Sequence, residues 1–309
     1  MPRRTRSAHR ENAKEETQVS ISKPRWMKRN LPVTPEGKEV RNLLSSLHLN
    51  TVCREANCPN RGQCFSEGTA TFLIMGDVCT RDCRFCNIAG GTPRELEDSE
   101  PRRVAEASAK MNLKHVVITS VTRDDLPDGG ASHFAATIDL IHEKLPEATV
   151  EVLIPDLMGN EDALEIVLNS KPDVLNHNVE TVPELYSAVR PKAVYASSMR
   201  ILELSKNRGF ITKSGLMVGL GETDEQFNRT IAELAGIGLD ILTIGQYSAP
   251  SERHYPVKAY IHPDRFEEMA EFGENAGIGK VVAGPLVRSS FRAGIALKDV
   301  LAKHQTKSA

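Results

Sequence analysis

The sequence predicts an α/β protein: a partial (β/α)6 TIM-like barrel with an extension at each end. Three observations predict it. Apolar, β-rich runs recur from residue 70 onward, and amphipathic helical stretches lie between them. All six cysteines fall between Cys53 and Cys86, ahead of and just beyond the first such run.

The runs are TATFLIM (69–75), HVVITSV (115–121), TVEVLIP (149–155), DVLNHNVE (173–180), ITKSGLMVGL (211–220), DILTIGQY (240–247) and KVVAGP (280–285). Most are apolar for several consecutive residues, as strands buried on both faces are. PRRVAEASAKMN follows the first run, ASHFAATIDLIHEKL the second and NEDALEIVLN the third. VPELYSAVR and ASSMRILELSKNRG follow the fourth, TDEQFNRTIAELAGIG the fifth and HPDRFEEMAEFGENAG the sixth. Thr223, with Gln226 three positions on, marks a helix start; Gly209, Gly236 and Gly277 mark helix ends. Such alternation makes a parallel sheet with helices outside. Six units fall short of the eight of a closed barrel, and a doubly wound sheet fits the same alternation. Either arrangement puts chemistry at the carboxyl ends of the strands. The chain divides into a basic, flexible arm (1–30), an N-terminal extension with three cysteines (31–69), the barrel (70–285) and a C-terminal segment containing RSSF (286–309).

Of the 309 residues, 40% are hydrophobic and 26% charged, which fits a globular protein with a sizeable core. No apolar run reaches the length of a membrane span. The first residues lack the apolar stretch of a secretory signal, and Glu11, Glu15 and Glu16 oppose a mitochondrial presequence. Residues 1–30 hold nine Lys/Arg against three Asp/Glu, leaving a net charge of about −8 on the remainder. An acidic body is a poor match for a phosphate backbone, so nucleic acid is not expected as a substrate.

The cysteines form two triads, Cys53-x4-Cys58-x5-Cys64 and Cys79-x3-Cys83-x2-Cys86. Neither has zinc-ribbon spacing, and no histidine lies between Cys53 and Cys86 to complete a zinc site. One zinc on four of the six thiols and a set of inert buried thiols are the competing readings. Iron–sulfur cubanes fit better. A cubane held by protein alone takes four cysteines, so two triads leave one iron of each cluster without a thiolate. An open iron is where a small molecule can bind and react.

The Cys79/Cys83/Cys86 triad resembles the signature of the radical S-adenosylmethionine enzymes. REANCPNRGQCF, CNIAGGTP, SVTRDDLPDGGASHFA, HNVETV, KSGLMVGLGET, GQYSAPS and GPLVRSSFRAG run in order from 54 to 294 and together resemble the lipoyl synthase family. Ser248 and Ala249 stand where that family usually reads Leu-Gln, and Phe291 stands in place of Tyr.

The resemblance implies two 4Fe–4S clusters and S-adenosyl-L-methionine as cofactors. Cys79, Cys83 and Cys86 would hold the catalytic cluster, whose fourth iron binds the amino and carboxylate groups of S-adenosylmethionine. Cys53, Cys58 and Cys64 would hold an auxiliary cluster whose fourth ligand is Ser290, with Ser289 the alternative. The implied reaction inserts two sulfur atoms at C6 and C8 of a protein-bound octanoyl chain, with the auxiliary cluster as sulfur donor. An alkyl C–H is neither acidic nor electrophilic, so side-chain acid–base catalysis has no hold on it; the cofactor carries the hard step. Implied partners are an octanoylated lipoyl carrier domain (the glycine cleavage H protein or a 2-oxoacid dehydrogenase E2 subunit), a reductant such as ferredoxin or flavodoxin, and an iron–sulfur carrier for cluster repair. A cytoplasmic location is implied with them.

Further candidates have two readings each. Gly129 and Gly130 follow the second strand, where a Gly-Gly pair contacts the methionine amino group in radical enzymes; the alternative is a turn. Gly215, Met217 and Gly219, with Glu222, resemble a motif that lines the adenine. Asn178 and Glu180 stand where ribose hydroxyls are held in related enzymes, or else cap a helix starting near Pro183. Arg288 pairs with a carboxylate or cluster charge, or is solvated. His133, His177 and His254 are packing or supporting residues. Two rival functions remain: another sulfur-inserting radical enzyme, biotin-synthase-like or tRNA-methylthiolating, and a non-catalytic iron–sulfur or zinc protein.

Overall fold

The structure, a computed structural model, describes residues 22–28 and 34–307. Ten strands occur in chain order among them: β1 (Asn50–Thr51), β2 (Thr71–Ile74), β3 (Val78–Cys79), β4 (Ala89–Gly90), β5 (His115–Ser120), β6 (Thr149–Leu153), β7 (Val174–Asn176), β8 (Ile211–Val218), β9 (Ile241–Gln246) and β10 (Lys280–Gly284). The helices are α1 (Pro35–Ser46), α2 (Val52–Glu55), α3 (Arg61–Ser66), α4 (Glu100–Lys110), α5 (Ala131–Lys144), α6 (Glu161–Asn169), α7 (Tyr186–Val189), α8 (Tyr195–Asn207), α9 (Asp224–Ile237), α10 (Pro263–Asn275) and α11 (Ala293–Lys307).

The main sheet runs β1-β2-β5-β6-β7-β8-β9-β10; β2 through β10 are parallel and β1 is antiparallel to β2. Spatial order follows chain order, and each crossover helix packs on the next, so the sheet curls with its helices outside. Among the described residues β10 and β1 do not pair, so the barrel stays open. The doubly wound alternative, which needs a reversal of strand order, does not apply.

The strands are not apolar on both sides. Val116, Ile118, Val150, Val152, Leu216, Val218, Leu242 and Ile244 pack outward against the helices. Their neighbours His115, Glu151, Lys213, Gly215, Met217 and Thr243 therefore point to the inner face, because side chains alternate along a strand. The inner face is the polar one.

Helix boundaries follow local chemistry. Thr223 and Gln226 form a reciprocal capping box that starts α9. That helix ends on Gly238, in the left-handed conformation, rather than on Gly236. Val182 precedes the turn at Pro183, so neither Asn178 nor Glu180 caps it.

Two expected boundaries change. Residues 22–28 are not free of the body: Arg25–Met27 form a short 3-10 turn, Met27 is 2% exposed and Trp26 meets His262 edge-on. Apolar burial ties this piece down, while the rest of the predicted arm lies outside the described residues. The C-terminal segment is likewise part of the barrel. An added Cβ at Gly245 on the inner face of β9 would stand 2.3 Å from the Val287 carbonyl oxygen. The chain at 287–290 thus runs across the inner face, and α11 follows, burying Ala296 and Val300 against Ile241 and Val282. No helix among the described residues is long and apolar enough to cross a membrane.

Candidate iron–sulfur and S-adenosylmethionine site

The second triad lies on the loop that leaves β2 at its carboxyl end. Cys79 closes β3, which pairs with β4, and its Sγ accepts from the backbone N–H of Arg81 (3.4 Å) and Thr122 (3.3 Å). The loop is fastened at several points. Arg84 N–H donates to the Val189 carbonyl, Tyr255 N–H to the Arg84 carbonyl, and His254 Nε2 lies 3.1 Å from the Cys86 carbonyl oxygen. Phe85 packs with Val189, Met217, Leu220 and Tyr247, which sets the triad beside the Gly215–Gly219 motif.

The strongest tether is Arg81, between Cys79 and Cys83. It is 5% exposed and grips two carboxylates: Asp124 at 2.8 and 2.9 Å, and Asp156 at 2.8 and 2.6 Å. Burial by itself raises the pKa of Asp156, but the Arg81 guanidinium overrides it and holds the carboxyl low. Sequence reading missed this clamp. Its one signal was an arginine inside the triad, with aspartates at the carboxyl ends of the next two strands.

The first triad sits on two short helices. Cys53 is in α2, started by a Thr51 cap, Cys64 is in α3, and Cys58 lies between them. Asn60 Nδ2 donates to the Leu286 carbonyl (2.7 Å), tying this extension to the C-terminal segment. Asn87 Nδ2 donates to the Glu55 carbonyl (2.7 Å), tying it to the loop of the second triad.

All six cysteines are free. Burial pushes Cys53 up to about 11 and Cys64 and Cys86 up to about 12, with neighbouring thiols of the same triad adding to the rise. Thiols gathered this way repel one another as thiolates and need a positive partner to deprotonate. Among the described residues, no three His, Cys, Asp or Glu converge closely enough for a single metal ion. A zinc site needs such convergence. A cubane does not, because its thiolates bind separate corners. The donor set fits iron–sulfur clusters.

The two serines of RSSF face different ways. Thr71 Oγ1 donates to Ser290 Oγ (2.8 Å), and Thr71 also hydrogen-bonds Cys53, so Ser290 lies on the side of the first triad. Ser289 Oγ donates to Asn178 Oδ1 (2.9 Å) and accepts from Asn176 Nδ2 (2.8 Å). Arg288 is half-buried, with burial lowering its pKa while Cys58 and Glu180 pull it up, so it stands near Cys58 and Glu180 rather than in solvent. Phe291 stacks under Arg292.

Asn178 and Glu180 come together where β7 ends. Asn178 Nδ2 donates to Glu180 Oε1 (3.1 Å), and Glu180 bridges to Leu216 on β8. Glu180 has φ 71°, a conformation costly for a residue with a side chain; burial raises its pKa, against the pull of Arg190. Glycine at 215 lets Asn178 lie close, since a Cβ there would stand 2.7 Å from Asn178 Oδ1. Glu222 closes the following turn by accepting from the N–H groups of Gly219 (2.6 Å) and Leu220 (2.9 Å). Gly129 and Gly130 both have positive φ, and a Cβ on Gly130 would meet Met75 Sδ at 2.3 Å. Packing against β2 explains that glycine before any ligand does.

Behind these residues lies a second network that sequence reading missed. Lys213 Nζ donates to both oxygens of Glu151 (2.8 and 3.0 Å), and Asn176 Nδ2 donates to Glu151 as well (2.9 Å). Burial alone raises the Glu151 pKa, but Lys213 and His115 outweigh it and hold the group at about 2. Its signal was two opposite charges in otherwise apolar strands. His177 is fully buried between the Ile154 carbonyl and Ser198 Oγ, both at 2.9 Å, and burial lowers it to about 4.

Residues 73–234 match the Radical SAM superfamily model. The curated lipoyl synthase of Caldanaerobacter subterraneus subsp. tengcongensis is 52% identical over 281 residues, 90% of this chain and 98% of that protein. That of Oleidesulfovibrio alaskensis is 50% identical over 288 residues, 93% of this chain and 99% of that one. Among solved structures, Streptococcus suis SuiB bound to S-adenosylmethionine matches with TM-score 0.56 at 12% identity, over 72% of this chain and 54% of that one. Methylornithine synthase matches with TM-score 0.50 at 14% identity, over 82% of each chain. The solved structures share the fold. Identity of about half, sustained over nine-tenths of the sequence, goes further: the chain belongs to the lipoyl synthase family of the radical S-adenosylmethionine superfamily.

Proposed function

We infer that this chain inserts sulfur at C6 and C8 of an octanoyl chain carried on a lipoyl domain, using two 4Fe–4S clusters. When bound, the catalytic cluster with S-adenosylmethionine supplies one-electron chemistry able to take hydrogen from an alkyl carbon, and the auxiliary cluster supplies sulfur. The observation that carries the reading is the pair of tethered but separate triads, with Ser290 joined through Thr71 to Cys53.

The chain's own residues have definable tasks. Cys79, Cys83 and Cys86 hold the catalytic cluster on a loop fixed by Arg81, Asp124 and Asp156. Asn178, Glu180, Gly215, Met217 and Gly219 line the S-adenosylmethionine site, with Gly129 and Gly130 at its edge. Cys53, Cys58, Cys64 and Ser290 hold the auxiliary cluster. A serine oxygen is a harder ligand than thiolate and a poorer match for iron–sulfur chemistry, so of the four Ser290 would hold the auxiliary cluster least firmly. The carrier is a glycine cleavage H protein or a 2-oxoacid dehydrogenase E2 subunit; ferredoxin or flavodoxin provides electrons, a carrier repairs the auxiliary cluster, and the reaction is cytoplasmic.

The test is anaerobic incubation of reconstituted protein with reductant, S-adenosylmethionine and an octanoyl-lysine peptide. The reading expects 5′-deoxyadenosine, a dithiolane product and about eight irons per chain, four per cubane. Protein that holds zinc and no sulfide would refute it.

A further inference from the structure

We propose that Ser289 is a positioning residue that couples occupancy of the first cysteine triad to S-adenosylmethionine binding beside the second. This rests on the assignments of Ser290 as a cluster ligand and of Asn178 and Glu180 as S-adenosylmethionine contacts.

Ser289 and Ser290 are consecutive and serve different sites. Ser290 Oγ accepts from Thr71, which also bonds Cys53. Ser289 Oγ sits inside a hydrogen-bonded column on the inner face: Lys213 to Glu151, Asn176 to Glu151 and to Ser289, Ser289 to Asn178, Asn178 to Glu180. The lower end of the column is a fully buried ion pair, Glu151 at 0% and Lys213 at 1% exposure, and is therefore rigid. Its upper end is the Asn178–Glu180 pair.

Ser289 decides which way the Asn178 amide points. Asn178 Oδ1 takes the Ser289 hydroxyl, so its Nδ2 is turned to Glu180 Oε1. Gly215 leaves room for this placement, since a Cβ there would stand 2.7 Å from Asn178 Oδ1. One peptide unit separates the two serines, so a shift of Ser290 turns Ser289. While Ser290 is bound to a full auxiliary cluster, Ser289 is pinned and Asn178 is oriented. Release of Ser290 would let the adjoining Ser289 backbone shift against the rigid Asn176, so that the Ser289 hydroxyl would no longer span Asn176 and Asn178 and the Asn178 amide would be free to turn. Linkage then requires that S-adenosylmethionine binds more tightly when the auxiliary cluster is present.

The experiment is anaerobic titration of S-adenosylmethionine into four reconstituted proteins: wild type, the C53A/C58A/C64A variant, Ser289→Ala, and Ser289→Ala in the C53A/C58A/C64A background. One neutral hydrogen bond corresponds to about a fivefold change in Kd. The expected result is that wild type binds about fivefold more tightly than the triple-cysteine variant, and that Ser289→Ala has the weaker affinity in both backgrounds. Ser289→Thr, which keeps the hydroxyl, is expected to restore the wild-type affinity. Equal affinity in wild type and the triple-cysteine variant overturns the coupling without recourse to any serine variant. Tight binding by Ser289→Ala overturns the role of Ser289. Iron content separates this from the underlying assignment: wild type with only about four irons refutes the two-cluster reading, whereas about eight irons with an indifferent Kd refutes only the coupling.

Discussion

Replacing Arg81 by Met tests whether the loop that carries Cys79, Cys83 and Cys86 is held by charge. Arg81 neutralises Asp156, which is 2% exposed, and Asp124, whose side chain is about a quarter exposed. Removing one partner of a buried pair strands the other and costs about 3–5 kcal/mol. Asp124 can recover solvent and adds at most about 1 kcal/mol. The expected loss is therefore about 3–5 kcal/mol, nearly all from Asp156. Urea unfolding of the reduced, cluster-free protein at neutral pH, followed by far-UV circular dichroism, measures it. Arg81→Met with Asp156→Asn no longer buries an unpaired charge and should regain about 2 kcal/mol. Because Cys79 and Cys83 flank Arg81, the single variant should also take up less iron at the second triad. A loss below about 1 kcal/mol, or no recovery in the double variant, would mean that the loop is held by its backbone hydrogen bonds and not by this clamp.

Lys213→Met should cost about 3–5 kcal/mol by leaving Glu151 buried and unpaired, and Lys213→Met with Glu151→Gln should recover much of it in the same urea assay. His177 gives a pH signature. Its folded pKa of about 4 lies below the ordinary 6.5, so its stabilising contribution is complete above about pH 6.5 and fades as pH falls toward 4. At about 1.4 kcal/mol per pKa unit, wild type should lose about 2.5 kcal/mol more than His177→Gln between about pH 7.5 and 4.5; equal slopes for the two would count against a buried neutral imidazole. Gly130→Ala combines a φ of +90° with a Cβ driven onto Met75, and should destabilise by about 1–3 kcal/mol in thermal melts. Ser290→Cys should hold the auxiliary cluster more firmly and slow turnover; an equal or faster second sulfur insertion would show that ligand release does not limit the reaction.

The strand–helix order was legible in the sequence because each element carries its own period and its own punctuation. TFLIM and HVVITSV read as strands, and the Thr223–Gln226 box marked a helix start that the structure reproduces. The two cysteine triads were legible because their spacing is local. What could not be read there were pairings between residues far apart in the chain. Arg81 meets Asp124 and Asp156, Glu151 meets Lys213, and Val287 crosses Gly245, because a curled sheet brings the carboxyl ends and inner faces of separate strands together. The same curling turned apparently apolar strands into strands with one polar face. It also turned adjacent serines apart, Ser290 toward Thr71 and Cys53 and Ser289 toward Asn178. Local periodicity sets which elements form; only the curling of the sheet decides which side chains share its interior.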